Sequence, residues 1–87
     1  MAKYRVENLV LMSIDLPSAT VEFDVERLDA TWILVKKATT SVATSSSALE
    51  IARAIGDIAK QIAIKDALTS TKFTDVVAIL SGKEFEV

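Results

Sequence analysis

A stripe of four isoleucines in helical register constrains the fold of this 87-residue chain more than any other feature. Its members are spaced by four, three and four positions and are Ile51, Ile55, Ile58 and Ile62. At about 100° per residue, this spacing confines their side chains to one narrow arc of an α-helix. The stripe therefore predicts an amphipathic helix with one face built for burial.

The sequence also predicts where this helix begins and ends. Residues 47–50 read Ser-Ala-Leu-Glu, which fits a capping box, in which a serine hydroxyl and a glutamate carboxylate accept hydrogen bonds from unpaired backbone N–H groups. We predict that the helix runs from this cap to about Leu68. Gly56 lies in its middle and costs about 1 kcal/mol relative to alanine, so we expect another backbone to cross closely there.

A second, short helix is predicted nearer the C-terminus. After residues 69–71, apolar residues recur at i, i+3, i+4 and i+7, and Gly82 follows where a left-handed residue commonly ends a helix. The four apolar residues are Phe73, Val76, Val77 and Leu80. Residues 83–87 alternate between polar and apolar, which predicts a short terminal edge strand.

The N-terminal third of the chain has the two-residue alternation of β-strands. Even positions from Tyr4 to Leu16 are apolar or aromatic apart from Asn8, and residues 21–26 alternate between apolar and acidic. A turn over residues 16–19, with proline in its second position, joins the two segments into a hairpin. The resulting register pairs Ile14 with Val21, Met12 with Phe23 and Val10 with Val25, and it places both apolar faces on one side.

Residues 28–38 allow two interpretations. Residues 31–35 read Thr-Trp-Ile-Leu-Val, and such β-branched and aromatic residues favour a third strand. Alternatively, Asp29 could cap a short helix, with Leu28 and Ile33 as a hydrophobic staple across the cap. We prefer the strand. Residues 39–47 are mostly Ser and Thr, whose side chains compete for backbone hydrogen bonds, so we predict a loop or a frayed helix start there.

Together these elements predict a small α+β fold in a single domain spanning residues 1–87. An antiparallel hairpin, extended to three strands by residues 28–38, packs on one long amphipathic helix and a short C-terminal helix. A terminal edge strand completes the predicted fold.

Composition argues against several classes of function. The chain has no histidine and no cysteine, and its two glycines form no phosphate-binding loop. Ten basic and twelve acidic residues give a net charge of −2, without the basic patch that nucleic-acid binding requires. No apolar run approaches the roughly 18 residues of a membrane span. We therefore expect a non-enzymatic protein with no cofactor, no metal ion and no nucleic-acid or membrane partner. Because no secretory signal is apparent, we expect it in the cytoplasm.

Two further features have both a functional and a structural interpretation. Glu22, Asp24 and Glu26 point to one side of their strand, as a cation site would require. Exposed strand faces are usually polar, however, so we expect a solvated outer face. Trp32 suits a binding hot spot as well as the core of a small domain.

Several large apolar residues have no predicted cover, and they form our candidate partner interface. In the predicted register, Leu9 lies opposite Glu26 and Leu11 opposite Asp24, on the sheet face away from the core. Three more residues lie on or beside the polar side of the long helix. With the tryptophan, the candidate residues are Leu9, Leu11, Trp32, Leu49, Ile64 and Leu68. Contiguous exposed apolar surface of this kind usually marks a binding partner.

We expect these residues to bind protein, most simply another copy of the chain. A homo-oligomer suits so short a chain, because about 40% of the surface of its unfolded form stays exposed after folding. The predicted role is an assembly subunit of the kind found in virions and phage tails. The alternative is a small-ligand-binding or regulatory module with a pocket between the hairpin and the helix near Trp32.

Overall fold

A computed structural model describes residues 2–84 and 86 and has an α+β architecture. Three antiparallel strands in the order β1-β2-β3 are followed by a long and a short helix. The elements are β1 (Lys3–Asp15), β2 (Ser18–Leu28), β3 (Trp32–Ala43), α1 (Ala48–Leu68), a π-helical turn (Thr69–Phe73) and α2 (Thr74–Leu80). The predicted fold class is confirmed. The predicted terminal strand includes Phe85 and Val87, which lie outside the described residues, and its other three residues are not in a strand.

β3 is a strand, as preferred, but it lies later in the chain than predicted, at Trp32–Ala43 rather than residues 28–38. It continues through residues 39–43, so the loop or helix start predicted there is wrong. Thr39 pairs with Glu22 and Val42 with Ala19. The ladder of backbone hydrogen bonds with β2 replaces the local side-chain bonds on which the loop prediction rested, and β-branched threonine suits a pleated strand.

The turn between β1 and β2 lies one position earlier than predicted. Asp15 pairs with Ser18 across Leu16 and Pro17, and the peptide bond between these two residues is cis. Ile14 therefore lies opposite Ala19. The predicted pairing of Ile14 with Val21, and with it the register of the hairpin, is wrong by two residues at the turn.

Two bulges in β1 then change which of its residues share a face. The register shifts between Leu11 and Ser13 and again between Glu7 and Val10. Asn8, in the second bulge, has a φ of 54°, in the left-handed region that asparagine tolerates better than most residues. The strict two-residue alternation assumed for this strand therefore fails beyond the first bulge.

The core lies between the odd-numbered residues of β2 and the isoleucine stripe of α1. Phe23 and Val25 are completely or almost completely buried, and Ile55 is the buried member of the stripe. Ile51, Ile58 and Ile62 are partly buried and pack against this centre. The prediction that the stripe covers the hairpin is confirmed.

Polar contacts hold the two ends of α1. At its start, the Ser47 hydroxyl accepts from the Glu50 N–H at 3.2 Å and the Glu50 carboxylate accepts from the Ser47 N–H at 3.3 Å, which confirms the capping box. Near its end, the Asp66 carboxylate accepts from the Tyr4 hydroxyl and from Arg27 Nη1, both at 2.8 Å. Desolvation, with the hydrogen bond to Asp66, raises the pKa of Tyr4. Because Tyr4 pairs with Arg27 at the sheet end away from the β1–β2 turn, α1 runs along the length of the sheet.

α1 ends at Leu68, as predicted. The two helices are not separated there, however, because the chain continues through the π-turn into α2. The hydroxyls of Thr69 and Ser70 donate to carbonyls four residues earlier, and the Thr74 hydroxyl donates to the carbonyl five residues earlier. These bonds occupy the polar side chains without opening the helix. Gly82, with a φ of 76°, follows the helix end as predicted.

Residues 69–80, which we call the helical arm, extend past the end of the sheet. In the described part of the chain, α2 packs on none of the strands. The radius of gyration is 17.6 Å and the longest dimension 56 Å, whereas a compact domain of this length has a radius of gyration of about 12 Å. None of the helices within residues 2–84 and 86 has the length and apolar character needed to cross a bilayer.

Candidate partner interface

Most of the exposed large apolar side chains lie in two regions, at opposite ends of the molecule. Four others are exposed elsewhere, at the end of β2, the start of β3 and the first turn of α1: Leu28, Ile33, Leu34 and Leu49. The first region is the half of β1 next to the β1–β2 turn, and its exposed residues are Leu9, Val10, Leu11, Met12, Ile14 and Leu16. The second region is the helical arm with the last two turns of α1, and its exposed residues are Ile64, Leu68, Phe73, Val76, Val77, Ile79 and Leu80.

Part of the first region lies on the helix side of the sheet. Leu11 is opposite Val21 and Ile14 is opposite Ala19, and both partners belong to the core. Leu9, two residues before Leu11, points to the same side. The prediction that Leu9 and Leu11 face away from the core is therefore wrong, because the bulges of β1 reverse their orientation. We call Leu9, Leu11 and Ile14 the β1 ledge.

The β1 ledge is exposed because one helix cannot cover three strands. A helix is about 10 Å wide and neighbouring strands are about 4.8 Å apart, so α1 covers the width of about two strands. Leu9 and Leu11 remain 53% and 58% exposed. The helix side of β1 near the β1–β2 turn is thus an apolar surface that this chain leaves open, whereas Tyr4 and Val6, farther along the strand, pack against the core.

A shallow apolar cleft of about 250 Å³ separates β1 from α1. The strands contribute Tyr4, Val6 and Val25 to its lining, and α1 contributes small residues, among them Gly56, Ala59 and Ala63. A neighbouring cleft of about 310 Å³ extends along α1 past Ala63, Ile64 and Ala67. A Cβ atom built on Gly56 would meet nothing within 4 Å, so the predicted close crossing at Gly56 is wrong within this chain.

The helical arm carries an apolar stripe with nothing packed on it. Phe73 and Val77 line a groove of about 230 Å³ with Thr69 and Thr74, all four from the arm itself. Val77 is 64% exposed and Leu80 63%. Monomeric proteins rarely leave a contiguous apolar surface of several hundred Å² uncovered. The arm is therefore the strongest candidate contact surface in the described part of the chain.

The six residues predicted from the sequence fall in four separate places. Leu9 and Leu11 lie on the β1 ledge, and Ile64 and Leu68 lie one turn apart at the base of the arm. Leu49 is exposed in the first turn of α1. The sixth, Trp32, begins β3.

Sequence reasoning missed the residues of the arm and Ile14. The stripe from Phe73 to Leu80 has the spacing of a buried helix face, so it predicted packing within the chain. Ile14 was placed in the core by the predicted register. The one available signal was Asn8, the residue that interrupts the alternation of β1 and marks a bulge.

Trp32 lies on the sheet face opposite α1. It pairs with Leu28, and the Arg5 guanidinium stacks over its ring, 4.2 Å from the ring centroid, in a cation–π contact. The side chain is half-buried. Trp32 therefore does not line the space between the hairpin and the helix, where the predicted ligand pocket would lie.

The acidic row is also on this outer face, as predicted, but it is paired rather than solvated. Asp24 is buried and accepts from Lys37 Nζ and Asn8 Nδ2, both at 2.9 Å. These two hydrogen bonds, with that from Lys37 the stronger influence, lower the pKa of Asp24, and the Asp24 carboxylate raises the pKa of Lys37. Glu26 accepts from Arg5 at 2.7 Å. Within residues 2–84 and 86, no three ligating side chains are grouped to hold a metal ion.

The outer face thus satisfies its charges within the chain, whereas the arm, the clefts and the β1 ledge leave apolar surface open. The interpretation of these surfaces rests on their geometry alone, because the chain matches no protein-family model, no curated protein and no solved structure.

Proposed function

We propose that this protein is a non-enzymatic assembly subunit that binds further copies of itself through the apolar surface at its two ends. The observation that carries the proposal is the helical arm, which extends past the sheet with its apolar stripe uncovered. Most helical stability in proteins comes from the packing of an apolar face, and the apolar face of α2 packs on none of the described strands. A partner that covers the stripe would stabilise the arm in the conformation seen here.

The shape of the chain also supports this proposal. Its radius of gyration of 17.6 Å exceeds the compact value because both ends project from a small core. An elongated subunit with apolar surface at each end can contact partners at two places, as the subunits of closed oligomers and of open filaments do. Virions and phage tails contain small structural subunits of this kind, and we extend the proposal to them as an analogy of class.

The mass of the protein in solution tests the proposal. A single chain weighs 9.4 kDa, and we expect light scattering coupled to size-exclusion chromatography to give at least twice this mass at micromolar concentrations. Val77→Asp places a charge in the centre of the arm stripe and should shift the mass towards that of one chain. Gln61→Asp adds the same charge to an exposed polar position of α1 and serves as the matched control.

Circular dichroism of each variant establishes that it remains folded. A wild-type mass of one chain up to several hundred micromolar would contradict self-association. So would a Val77→Asp variant that remains folded and associates as strongly as Gln61→Asp, because the arm would then carry none of the contact.

A further inference from the structure

We propose that the helical arm of one copy occupies the cleft between β1 and α1 of a second copy. This inference rests on the proposed function, because it names the contact through which the copies associate. It brings together a helix that no strand covers and an open groove on the helix side of the sheet.

The cleft has the lining that a second helix requires. Tyr4 and Val6 of β1 form its floor, and α1 lines it with three small residues and one long one, Gly56, Ala59, Ala63 and Lys60. The distance between packed helices falls from about 10 to 8 Å as the side chains at the contact become smaller. A helix laid over the first half of β1 could therefore approach α1 closely at the three small residues while its other side rests on Tyr4 and Val6.

The arm matches this space in length and in chemistry. From Gly56 to Ala67 the clefts follow α1 for about 16 Å, at about 1.5 Å per residue. The arm also has twelve residues and spans about 16 Å on the same basis. The arm offers Phe73, Val77 and Leu80 to an apolar cleft whose strand side is formed by Tyr4, Val6 and Val25.

The arm cannot reach the cleft of its own chain in this conformation. It continues α1 past the sheet end, whereas the cleft lies back along α1 beside β1. Entering it would require the helix to reverse direction within residues 69–73. That segment is helical and closed by its own bonds, including the Thr74 hydroxyl to the Thr69 carbonyl at 2.8 Å. An arm that lies in the cleft must therefore come from a second copy.

The buried area is sufficient for a stable contact. The side chains on the apolar stripe of the arm expose on the order of 400 Å², and packing them into the cleft covers a comparable area of the partner. One contact then buries about 800 Å², which is small for a specific interface. Two copies that exchange arms make the contact twice between the same pair, so about 1,600 Å² is buried between them, which is the standard size of a stable interface.

Cysteine cross-linking tests this contact directly, because the chain has no cysteine of its own. Ala63→Cys places one thiol in the cleft, and Val77→Cys places another on the arm of a differently tagged copy. After the two variants are mixed and mildly oxidised, we expect a disulfide-linked heterodimer on non-reducing gels, in at least fivefold greater yield than with the control pair. The control replaces Ala63→Cys by Thr39→Cys, since Thr39 pairs with Glu22 on the outer face.

A second pair, Ala59→Cys with Leu80→Cys, repeats the test at the tip of the arm, and each single variant is first shown to keep the helicity and mass of the wild type. If the wild type associates but both test pairs cross-link no better than the control, this inference is wrong and the proposed function survives. A wild type that is monomeric overturns both. A monomeric double variant, Ala63→Cys with Val77→Cys, that forms the disulfide within one chain would show that the arm folds back, which also overturns the inference.

Discussion

The centre of this molecule and its two ends contain the same kinds of apolar residue, but only the centre covers them. Phe23 in β2 has no exposed surface, whereas Phe73 in the helical arm is 52% exposed. Each belongs to an amphipathic run with the period of its own element. The difference comes from position: β2 lies between two strands and beneath the isoleucine stripe, and the arm lies beyond the sheet. An amphipathic pattern therefore predicts that a face is buried, but it does not predict whether the same chain or a partner buries it.

The largest expected difference in unfolding free energy is between alanine substitutions of the two phenylalanines. Phe23→Ala removes a fully buried ring and should lower the free energy of unfolding by about 3–5 kcal/mol, a large part of the stability of any small domain. Phe73→Ala, measured where the protein is diluted to single chains, should lower it by less than about 1 kcal/mol. Urea denaturation followed by circular dichroism gives both values. Equal losses would mean that the arm is packed within its own chain.

The centre was largely predictable because its signals are local. The spacing of the isoleucine stripe, the capping box of Ser47 and Glu50 and the left-handed Gly82 each depend on a few neighbouring residues. Their physical basis is helix geometry and backbone hydrogen bonding, which depend on residues that are close together in the sequence.

The ends were not predictable because they depend on distant partners. The bulge at Asn8 exchanges the faces of the residues that follow it as far as the next bulge, between Leu11 and Ser13, and the positions of both bulges are decided by pairing with β2. The π-turn keeps Thr69 and Ser70 in a helix through side-chain bonds, between two helices that were predicted to be separate. The absence of cover on the arm depends on where the sheet ends, and no local pattern records that distance.

The pairing of Asp24 with Lys37, on the sheet face opposite α1, predicts that the stability of the protein depends on pH. The pKa of Asp24 is lowered in the folded protein by Lys37 and Asn8, whereas in the unfolded chain it returns to about 3.9. The stability contributed by its ionised form is fully present above that value and is lost as the pH falls through the lower, folded pKa. Urea denaturation at pH 7 and pH 3 should therefore show a smaller difference in Asp24→Asn than in the wild type.

Asp75→Asn is the matched control for this experiment, because Asp75 lies on the arm and has no ion pair in the described part of the chain. It should retain the pH dependence of the wild type. If both variants lose the pH dependence of stability to the same extent, the pairing of Asp24 with Lys37 does not cause that dependence.

Substitutions of two serines, one at each end of the continuous helix, should differ by a smaller amount in their effect on the unfolding free energy. Ser47→Ala removes the hydroxyl that caps α1 over the core and should cost about 1 kcal/mol in unfolding free energy. Ser81 follows the last residue of α2 and donates its backbone N–H to the Val77 carbonyl. Ser81→Ala keeps this hydrogen bond and should change the unfolding free energy by less than about 0.5 kcal/mol. Thermal and urea denaturation of single chains measure both. A larger loss for Ser81→Ala would indicate that the arm contributes to the cooperative unit of the core.

The smallest expected change in unfolding free energy is for a substitution of Gly56, which lines the cleft between β1 and α1. In a helix interior this glycine costs about 0.5–1 kcal/mol relative to alanine, and the chain itself gives no reason for it, since an added Cβ meets nothing within 4 Å. Gly56→Ala should therefore stabilise the isolated chain by about that amount, as measured by urea denaturation of diluted protein. If the arm of a second copy lies in the cleft, the same methyl group should raise the dissociation constant measured by sedimentation, while Gln61→Ala on the exposed side should leave it unchanged. A more stable chain that associates as tightly as before would show that the cleft is empty in the assembly. If Gly56→Ala stabilises the single chain but weakens its association, the glycine is explained by a close crossing between two copies. Its position in α1 predicts such a crossing, and one chain alone does not contain it.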